Sequence, residues 1–261
     1  MRKMFLTSAA AATLCLLATP ALAAPSIGIS GEGSSAADTA FDSFTSDGTF
    51  NFITETFNGV SIPDGQAGVA AGGSGFQTSV GTFKQITAGA GGACSSSPGN
   101  CNNLVIFDNP NTDPFGGREA TGQDGDTHWL DSNDSTEMKW TPEPAPGLNE
   151  VAQVGFYITD PNDSGGNLLI ELDDGTSFED KFPTNLGNGK EYFVTIDGDG
   201  ASINSVSWVM DDSSDGFGID LFTIAVPEGG GQDVPVPGTL ALLGFGFFSI
   251  GALIRRAGRP A

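Results

Sequence analysis

Positive charge is scarce in this sequence wherever negative charge is abundant. The chain of 261 residues carries 32 acidic and ten basic residues, and all of the acids lie between Glu32 and Asp233. Only five of the bases lie in the same region: Lys84, Arg118, Lys139, Lys181 and Lys190. Five bases against 32 acids give this region a net charge of about −27. Such a field repels phosphate groups, which excludes nucleic acid as a partner.

Histidine is represented once, at His128, within a stretch rich in aspartate. No Gly-x-Ser-x-Gly motif or reactive-cysteine context accompanies it, so a hydrolytic triad is not indicated. The nearby aspartates leave metal ligation open, although Asp-rich loops on a protein this acidic are usually solvated turns. They are Asp124, Asp126, Asp131 and Asp134.

Only three cysteines are present, and they divide into two groups. Cys15 lies in the N-terminal apolar segment, whereas Cys94 and Cys101 flank a short stretch of Ser, Pro, Gly and Asn. An even pair in an exported chain favours a disulfide between Cys94 and Cys101. A metal-binding or redox pair is the alternative, and it lacks both a two-residue spacing and a nearby histidine.

The N-terminus has the three parts of a secretory signal peptide. Arg2 and Lys3 form a charged region, an apolar run follows, and Ala21-Leu22-Ala23 is a small-x-small cleavage site. We predict a signal helix over residues 1–23 that is removed on export, because the apolar run is short for a retained membrane span. Residues 24–38 are predicted to be a disordered lead-in.

Helical periodicity is lacking in the middle of the chain, where short alternating runs are separated by Gly, Asn, Asp and Ser. At least eight such runs predict an all-β fold, a two-sheet antiparallel β-sandwich, over residues 39–226. The sequence Asp173-Asp174-Gly175-Thr176 predicts a hairpin turn that links the strand NLLIEL, Asn167 to Leu172, to the run SFEDKF.

The segment from Asn109 to Gly147 is rich in Pro, Gly, Asp and Asn, and is predicted to be a long surface excursion. Trp129 and Trp140 lie within it. Exposed aromatic rings on a long loop suit glycan stacking, so both are candidate glycan-binding residues; burial in the core is the alternative.

Calcium is the ion that the acidic segments suit best, because it takes oxygen ligands in irregular loops. Three segments offer such ligands, although none has the spacing of an EF-hand: Asp124 to Asp134, Asp197 to Asp199, and Asp211 to Asp215. Separately, ITETFNG around Glu55 and DGFGIDLFTIAV around Asp220 resemble the first and last strands of jelly-roll domains of the carbohydrate-binding-module type. That resemblance implies a structural calcium shared by Glu55 and Asp220.

The C-terminus combines a proline motif, an apolar run and a basic end. Pro235, Val236, Pro237 and Gly238 come first, and 17 uncharged residues from Gly238 to Ile254 follow. As a helix this run is about 25 Å long, close to the thickness of a bilayer core. The final residues with positive charge are Arg255, Arg256 and Arg259. The positive-inside rule places this end in the cytoplasm.

This arrangement resembles the PEP-CTERM sorting signal of bacterial exosortase substrates, here over residues 235–261. The resemblance implies a transmembrane helix that a membrane-embedded transpeptidase reads and removes. The usual motif is Val-Pro-Glu-Pro-Gly; here Val236 replaces Glu, and Val226-Pro227-Glu228 supplies a separate first half. Residues 227–234 are predicted to be a Gly-rich linker between the sandwich and the signal.

Taken together, these features predict a protein exported through the inner membrane of a Gram-negative bacterium. It would be transiently anchored there, then cell-surface or extracellular. The expected partners are an exosortase, the inner membrane before processing, and exopolysaccharide. The expected role is a non-enzymatic surface or matrix protein; a glycosidase-like secreted hydrolase or a permanently anchored structural protein are the alternatives.

Overall fold

The computed structural model describes residues 25–64, 66, 68–90, 103–108, 118–120, 122, 123, 125, 127–143, 150–161, 165–183 and 186–228. These residues form fourteen β-strands and one α-helix. The helix is α1 (Ser34–Thr45). The strands are β1 (Ser26–Ile29), β2 (Phe50–Glu55), β3 (Gly68–Ala70), β4 (Phe76–Gln77), β5 (Gly81–Thr87), β6 (Val105–Asp108), β7 (His128–Asp131), β8 (Glu137–Pro142), β9 (Gln153–Thr159), β10 (Asn167–Leu172), β11 (Ser177–Lys181), β12 (Glu191–Asp197), β13 (Ile203–Val209) and β14 (Gly218–Pro227).

The strands build two antiparallel sheets. Sheet A has the order β1-β12-β9-β14-β7-β6-β3, and β2 also pairs with β14. Sheet B has the order β11-β10-β13-β8-β5-β4. This confirms the predicted all-β architecture of two antiparallel sheets. Among the described residues, no helix has the length and apolar composition that crossing a bilayer requires.

An aromatic core joins the two sheets. Trp140 of sheet B packs on Phe222 of sheet A with ring centres 4.8 Å apart. Trp208 of sheet B packs on Phe156 of sheet A at 5.3 Å. All four side chains are fully buried. Alternate residues of each strand supply this core because successive side chains of a strand point to opposite faces.

The hairpin predicted at Asp173-Asp174-Gly175-Thr176 is present between β10 and β11. Gly175 has a φ of 82°, and its backbone N–H donates to the Leu172 carbonyl at 3.1 Å. Asp174 Oδ1 accepts hydrogen bonds from the Thr176 N–H and hydroxyl. A residue in the left-handed region closes the turn, which is why glycine is found there.

Strand β14 changes its partner at a bulge. On one edge it pairs with β7 through Gly218 and Ile219, and with β2 from Phe222 onward. On the other edge its register with β9 shifts between Asp220 and Thr223. Leu221, within the shift, has a φ of 45°, and its N–H donates to Asp220 Oδ1 at 2.7 Å. The buried Asp220 carboxylate therefore caps the extra residue of a bulge.

The predicted disordered lead-in at residues 24–38 is wrong. Ser26–Ile29 forms β1, which pairs with β12 along its whole length. The helix α1 begins at Ser34 and lies on the outer face of sheet A, where Phe41 contacts Tyr157 and Phe193 at 5.6 Å. Residues of modest helix propensity form this helix because tertiary packing of its apolar face, rather than propensity, stabilises it.

Two further boundaries need correction. The predicted excursion from Asn109 to Gly147 contains β7 and β8, which pair with β14 and β13 near the middle of their sheets. At the C-terminal end, Pro227 belongs to β14, and the Glu228 N–H donates to the Thr49 carbonyl at 3.0 Å. The folded unit therefore extends two residues into the predicted linker.

Both chain ends of the sandwich lie at the same end of sheet A. Ser26 pairs with Asp197, Asp197 with Gln153, and Gln153 with Ala225, so these four residues form one row. We call this the lower end. At the opposite, upper end, Thr159 pairs with both Glu191 and Gly218. Three strand spacings separate Ser26 from Ala225, about 14 Å.

Candidate functional site

Two aspartate-rich segments, Asp131–Asp134 and Asp211–Asp215, meet at the upper end of the sandwich. Asp131 is the last residue of β7 and pairs with Gly218. The Ser132 N–H donates to the Phe217 carbonyl, and the Phe217 N–H donates to the Ser132 hydroxyl, both at 3.0 Å. These bonds hold the turn after β7 against the residues that lead into β14.

Arg118 lies between these two segments and bonds to both. Its Nη1 donates to Asp134 Oδ1 at 2.7 Å, and its Nη2 donates to Asp215 Oδ1 at 2.8 Å. Nη1 is also 3.9 Å from Asp131 Oδ1. The side chains of Arg118, Asp131 and Asp134 are 5%, 0% and 1% exposed, whereas that of Asp215 is 26% exposed. One guanidinium thus faces three carboxylates in a largely dry environment.

The carboxylates keep Arg118 charged despite its burial. Burial of the guanidinium by itself would lower its pKa, but the charges of Asp131 and Asp134 and the hydrogen bonds to Asp134 and Asp215 outweigh it, so the pKa is raised. Removing one member of such a buried network leaves an uncompensated charge, which is strongly destabilising.

The turn after β7 depends on residues that tolerate left-handed backbone. Asn133 and Asp134 have φ values of 52° and 59°. Asn and Asp adopt this region more readily than other non-glycine residues. The Asn133 N–H donates to the Asp131 carboxylate, and its Nδ2 donates to the Asn103 carbonyl at 2.7 Å. The turn therefore presents Asp134 to Arg118.

These contacts change the interpretation of the segments that suit calcium. Two of the three are joined by the guanidinium of Arg118, which supplies the positive charge that an ion would supply. In the third, Asp197 Oδ1 accepts from the Asp199 N–H at 2.7 Å and Oδ2 from Gln153 Nε2 at 2.8 Å. Across the described part of the chain, no group of three or more His, Cys, Asp or Glu side chains is arranged to hold a metal ion.

Both members of the predicted calcium pair, Glu55 and Asp220, accept hydrogen bonds from the backbone, and the shared ion stays a prediction. Glu55 Oε1 accepts from the Phe57 N–H, and Oε2 accepts from the N–H and hydroxyl of Ser79, all at 2.8 Å. Phe222, and not Asp220, is the β14 residue opposite Glu55. Each carboxylate serves its own backbone feature, Glu55 a turn and Asp220 the bulge.

The prediction that Trp129 and Trp140 bind glycan is wrong, because neither ring reaches the surface. Both side chains are 0% exposed. Trp129 stacks against Phe107, with ring centres 5.1 Å apart, and Trp140 packs between the sheets on Phe222. The Pro- and Gly-rich composition of this segment led to the prediction of a loop where β7 and β8 lie. Period-two alternation in EMKWTP was the sequence signal for β8.

Several predicted residues lie outside the described residues. They are Asp124, Asp126, Cys94, Cys101, Pro235, Val236, Pro237, Gly238, Arg255, Arg256 and Arg259. The disulfide, the sorting motif and the basic end therefore stay predictions. His128 is described: its Nδ1 is 3.9 Å from Asp108 Oδ1, across the pairing of β6 with β7.

A small pocket opens between the edges of the two sheets. Ile27 and Ile29 of β1 line one side, Leu168 and Phe182 line the other, and its volume is about 260 Å³. Asp180 and Lys181 also contribute to its wall. This volume is slightly below the roughly 300–1,000 Å³ that is typical of small-molecule sites.

The outer face of sheet B carries most of the described positive charge outside the Arg118 network. Lys84 of β5 pairs directly with Lys139 of β8, and their neighbours Phe83 and Trp140 point into the core. Lys139 Nζ lies 2.6 Å from Glu171 Oε2, and Lys181 Nζ lies 3.5 Å from Asp211 Oδ2. Strand alternation thus places these lysines on one flat, solvent-facing surface.

No protein-family model, curated protein or solved structure matches the chain. Function must therefore be argued from the residues themselves. Sequence reasoning found the acidic segments at the upper end but missed Arg118 as their partner. The one available signal was that Arg118 is the only arginine between Glu32 and Asp233.

Proposed function

We propose that this chain is an exported Gram-negative surface or matrix protein, with a jelly-roll-type sandwich displayed by a C-terminal sorting signal that an exosortase-type transpeptidase processes. The observation that carries the proposal is the combination of a signal peptide, an acidic sandwich and a Pro-x-Pro-Gly, apolar, arginine-ended tail in one chain.

The position of the chain ends supports this arrangement. Ser26 and Ala225 lie in one row at the lower end of sheet A, so the segments before and after the sandwich leave it on the same side. A protein held by its tail then presents its upper end, with the Arg118 network, away from the membrane. The acidic surface also disfavours close contact with anionic lipid headgroups.

The contacts of the carboxylates support a non-enzymatic role. Asp47, Asp174 and Asp212 each accept from the N–H and hydroxyl of a Thr or Ser two residues later. Glu55 caps a turn and Asp134 bonds to Arg118. These carboxylates stabilise turns and loops, and this is the work of a scaffold rather than of a hydrolytic pair.

The outer face of sheet B is the surface we assign to exopolysaccharide. An acidic polysaccharide is repelled by the net charge of the molecule. The outer face of sheet B carries Lys84, Lys139 and Lys181 beside Glu137, Glu171 and Glu179, so it is closer to charge balance than the molecule as a whole. Hydroxyl and amide side chains on the same face can bond to sugar hydroxyls. They include Thr82, Thr141 and Asn167.

Mass spectrometry tests the sorting part of the proposal. We expect the protein from a host with its exosortase to begin after Ala23 and to lack Ala261, whereas the protein from an exosortase-deletion strain keeps Ala261. A chain that ends at Ala261 in both strains would contradict processing and would favour a permanent anchor.

Binding to a purified polyuronate tests the glycan surface. We expect a Lys84→Gln variant to bind more weakly and with less salt dependence than the parent protein. Lys190→Gln, which removes the same charge at the upper end beside Glu191, is the matched control and should bind like the parent. Equal loss in both variants would mean that net charge, and not this face, governs binding. Release of reducing sugar would instead favour a hydrolase.

A further inference from the structure

The sequence holds two partial copies of the proline motif, and they differ in their relation to the fold. Val226-Pro227-Glu228 has the first half of the motif with its glutamate, and Pro235-Val236-Pro237-Gly238 has the second half with valine in place of glutamate. On sequence alone, either copy could be where a processing enzyme acts.

The upstream copy is part of the last strand of sheet A. Val226 pairs with Asn51 and Pro227 with Phe50, and the Glu228 N–H donates to the Thr49 carbonyl at 3.0 Å. The Val226 side chain is 3% exposed. Strand pairing therefore reaches Pro227, and a backbone hydrogen bond holds Glu228 against Thr49.

Strand β14, which the chain would have to release for cleavage at the upstream copy, is a central strand of sheet A. Upstream of Val226, β14 pairs with β9 on one edge and with β2 on the other, and Ile224 and Ala225 are fully buried. A peptide-cleaving or transpeptidase enzyme binds several residues on each side of the bond in an extended, accessible form. To offer Val226–Glu228, the chain would have to withdraw β14 from both neighbours.

We infer that the upstream copy is the closing segment of the fold and that processing leaves a mature chain that ends beyond Glu228. This inference rests on the proposed sorting function. It means that processing leaves all of β14 in the mature protein, so the displayed sandwich keeps every strand that the structure describes.

Matched substitutions in the two copies test the inference in the full chain. Pro227→Ala and Glu228→Gln alter the upstream copy, and Glu228→Gln leaves the backbone N–H bond to Thr49 in place. Pro237→Ala makes the same change as Pro227→Ala in the downstream copy. The readout is the mass of the mature protein from cells that contain the exosortase, with thermal unfolding as a check on folding.

We expect the parent, Pro227→Ala and Glu228→Gln proteins to end at one common residue beyond Glu228. The processed form should be lost in Pro237→Ala, with its melting temperature unchanged. A mature chain that ends at Val226, Pro227 or Glu228 would overturn the inference while leaving processing itself established. Loss of processing in Glu228→Gln alone, with that variant folded, would also overturn the inference. An intact Ala261 in the parent would instead overturn the proposed sorting function, and the inference with it.

Discussion

The Arg118 network offers the sharpest test of how this sandwich is stabilised. Arg118→Met replaces the guanidinium by an apolar side chain of similar length, so the loss of packing is small. The change leaves Asp131 and Asp134 buried, at 0% and 1% side-chain exposure, without the cation that faces them. Asp215, at 26% exposure, is partly solvated and adds less to the effect.

The expected loss is large for a single substitution. Removing one partner of a buried ion pair costs roughly 3–5 kcal/mol, since the remaining charge is desolvated and uncompensated. In a domain of this size each kcal/mol corresponds to about 2–4 °C in melting temperature, so a fall of roughly 6–20 °C is expected. Arg118→Lys keeps the charge but has no planar guanidinium to bond both segments. Its melting temperature should therefore lie between those of the parent and Arg118→Met.

Urea unfolding followed by tryptophan fluorescence measures this effect, because Trp129, Trp140 and Trp208 are all fully buried. Asp134→Asn in the Arg118→Met background removes one uncompensated charge and should recover part of the loss, with a coupling of roughly 1–3 kcal/mol. An Arg118→Met protein within about 0.5 kcal/mol of the parent would show that the guanidinium does not stabilise the two buried aspartates, because that is the range of ordinary surface substitutions.

Three further outcomes are expected. Gly218→Ala should lose about 3 kcal/mol or more in urea unfolding, because the new Cβ would lie 1.8 Å from the Arg118 carbonyl, whereas Gly73→Ala, with open space around it, should be near neutral. Hydrogen bonds from Thr49, Thr176 and Ser214 lower the pKa of Asp47, Asp174 and Asp212. The stabilisation by these three ionised aspartates is present above the unfolded-state pKa of about 3.9 and is lost as the pH falls through the lower folded-state pKa values. The urea midpoint should therefore fall in that pH range, and it should fall less steeply in a triple Asp→Asn variant. Burial is the largest cause that raises the pKa of Tyr157 and Tyr192, and the neighbouring Asp38 and Glu32, respectively, raise it further. These are the only tyrosines in the chain, so phenolate absorbance should rise only above the usual pKa of about 10, with stability falling as the pH rises past that value; titration near the usual value in the folded protein would contradict their placement.

Local patterns in the sequence were sufficient for the features that arise from neighbouring residues. Strand alternation in NLLIEL predicted β10 with its observed bounds, and Asp-Asp-Gly-Thr predicted the turn after it. The composition between Glu32 and Asp233 predicted an acidic β domain. These succeed because side-chain alternation and turn geometry depend on residues a few positions apart.

Features that depend on distant residues were decided only by the tertiary structure. Only the register of β14 against β9 shows that Asp220, predicted as an ion ligand, caps a bulge. Trp129 and Trp140 were predicted at the surface, and strand pairing buries them. Asp134 and Asp215 were predicted as oxygen ligands of separate loops, and Arg118 joins them across 16 and 97 residues of chain. No local pattern encodes such a meeting, because it results from how the strands of both sheets pair and pack.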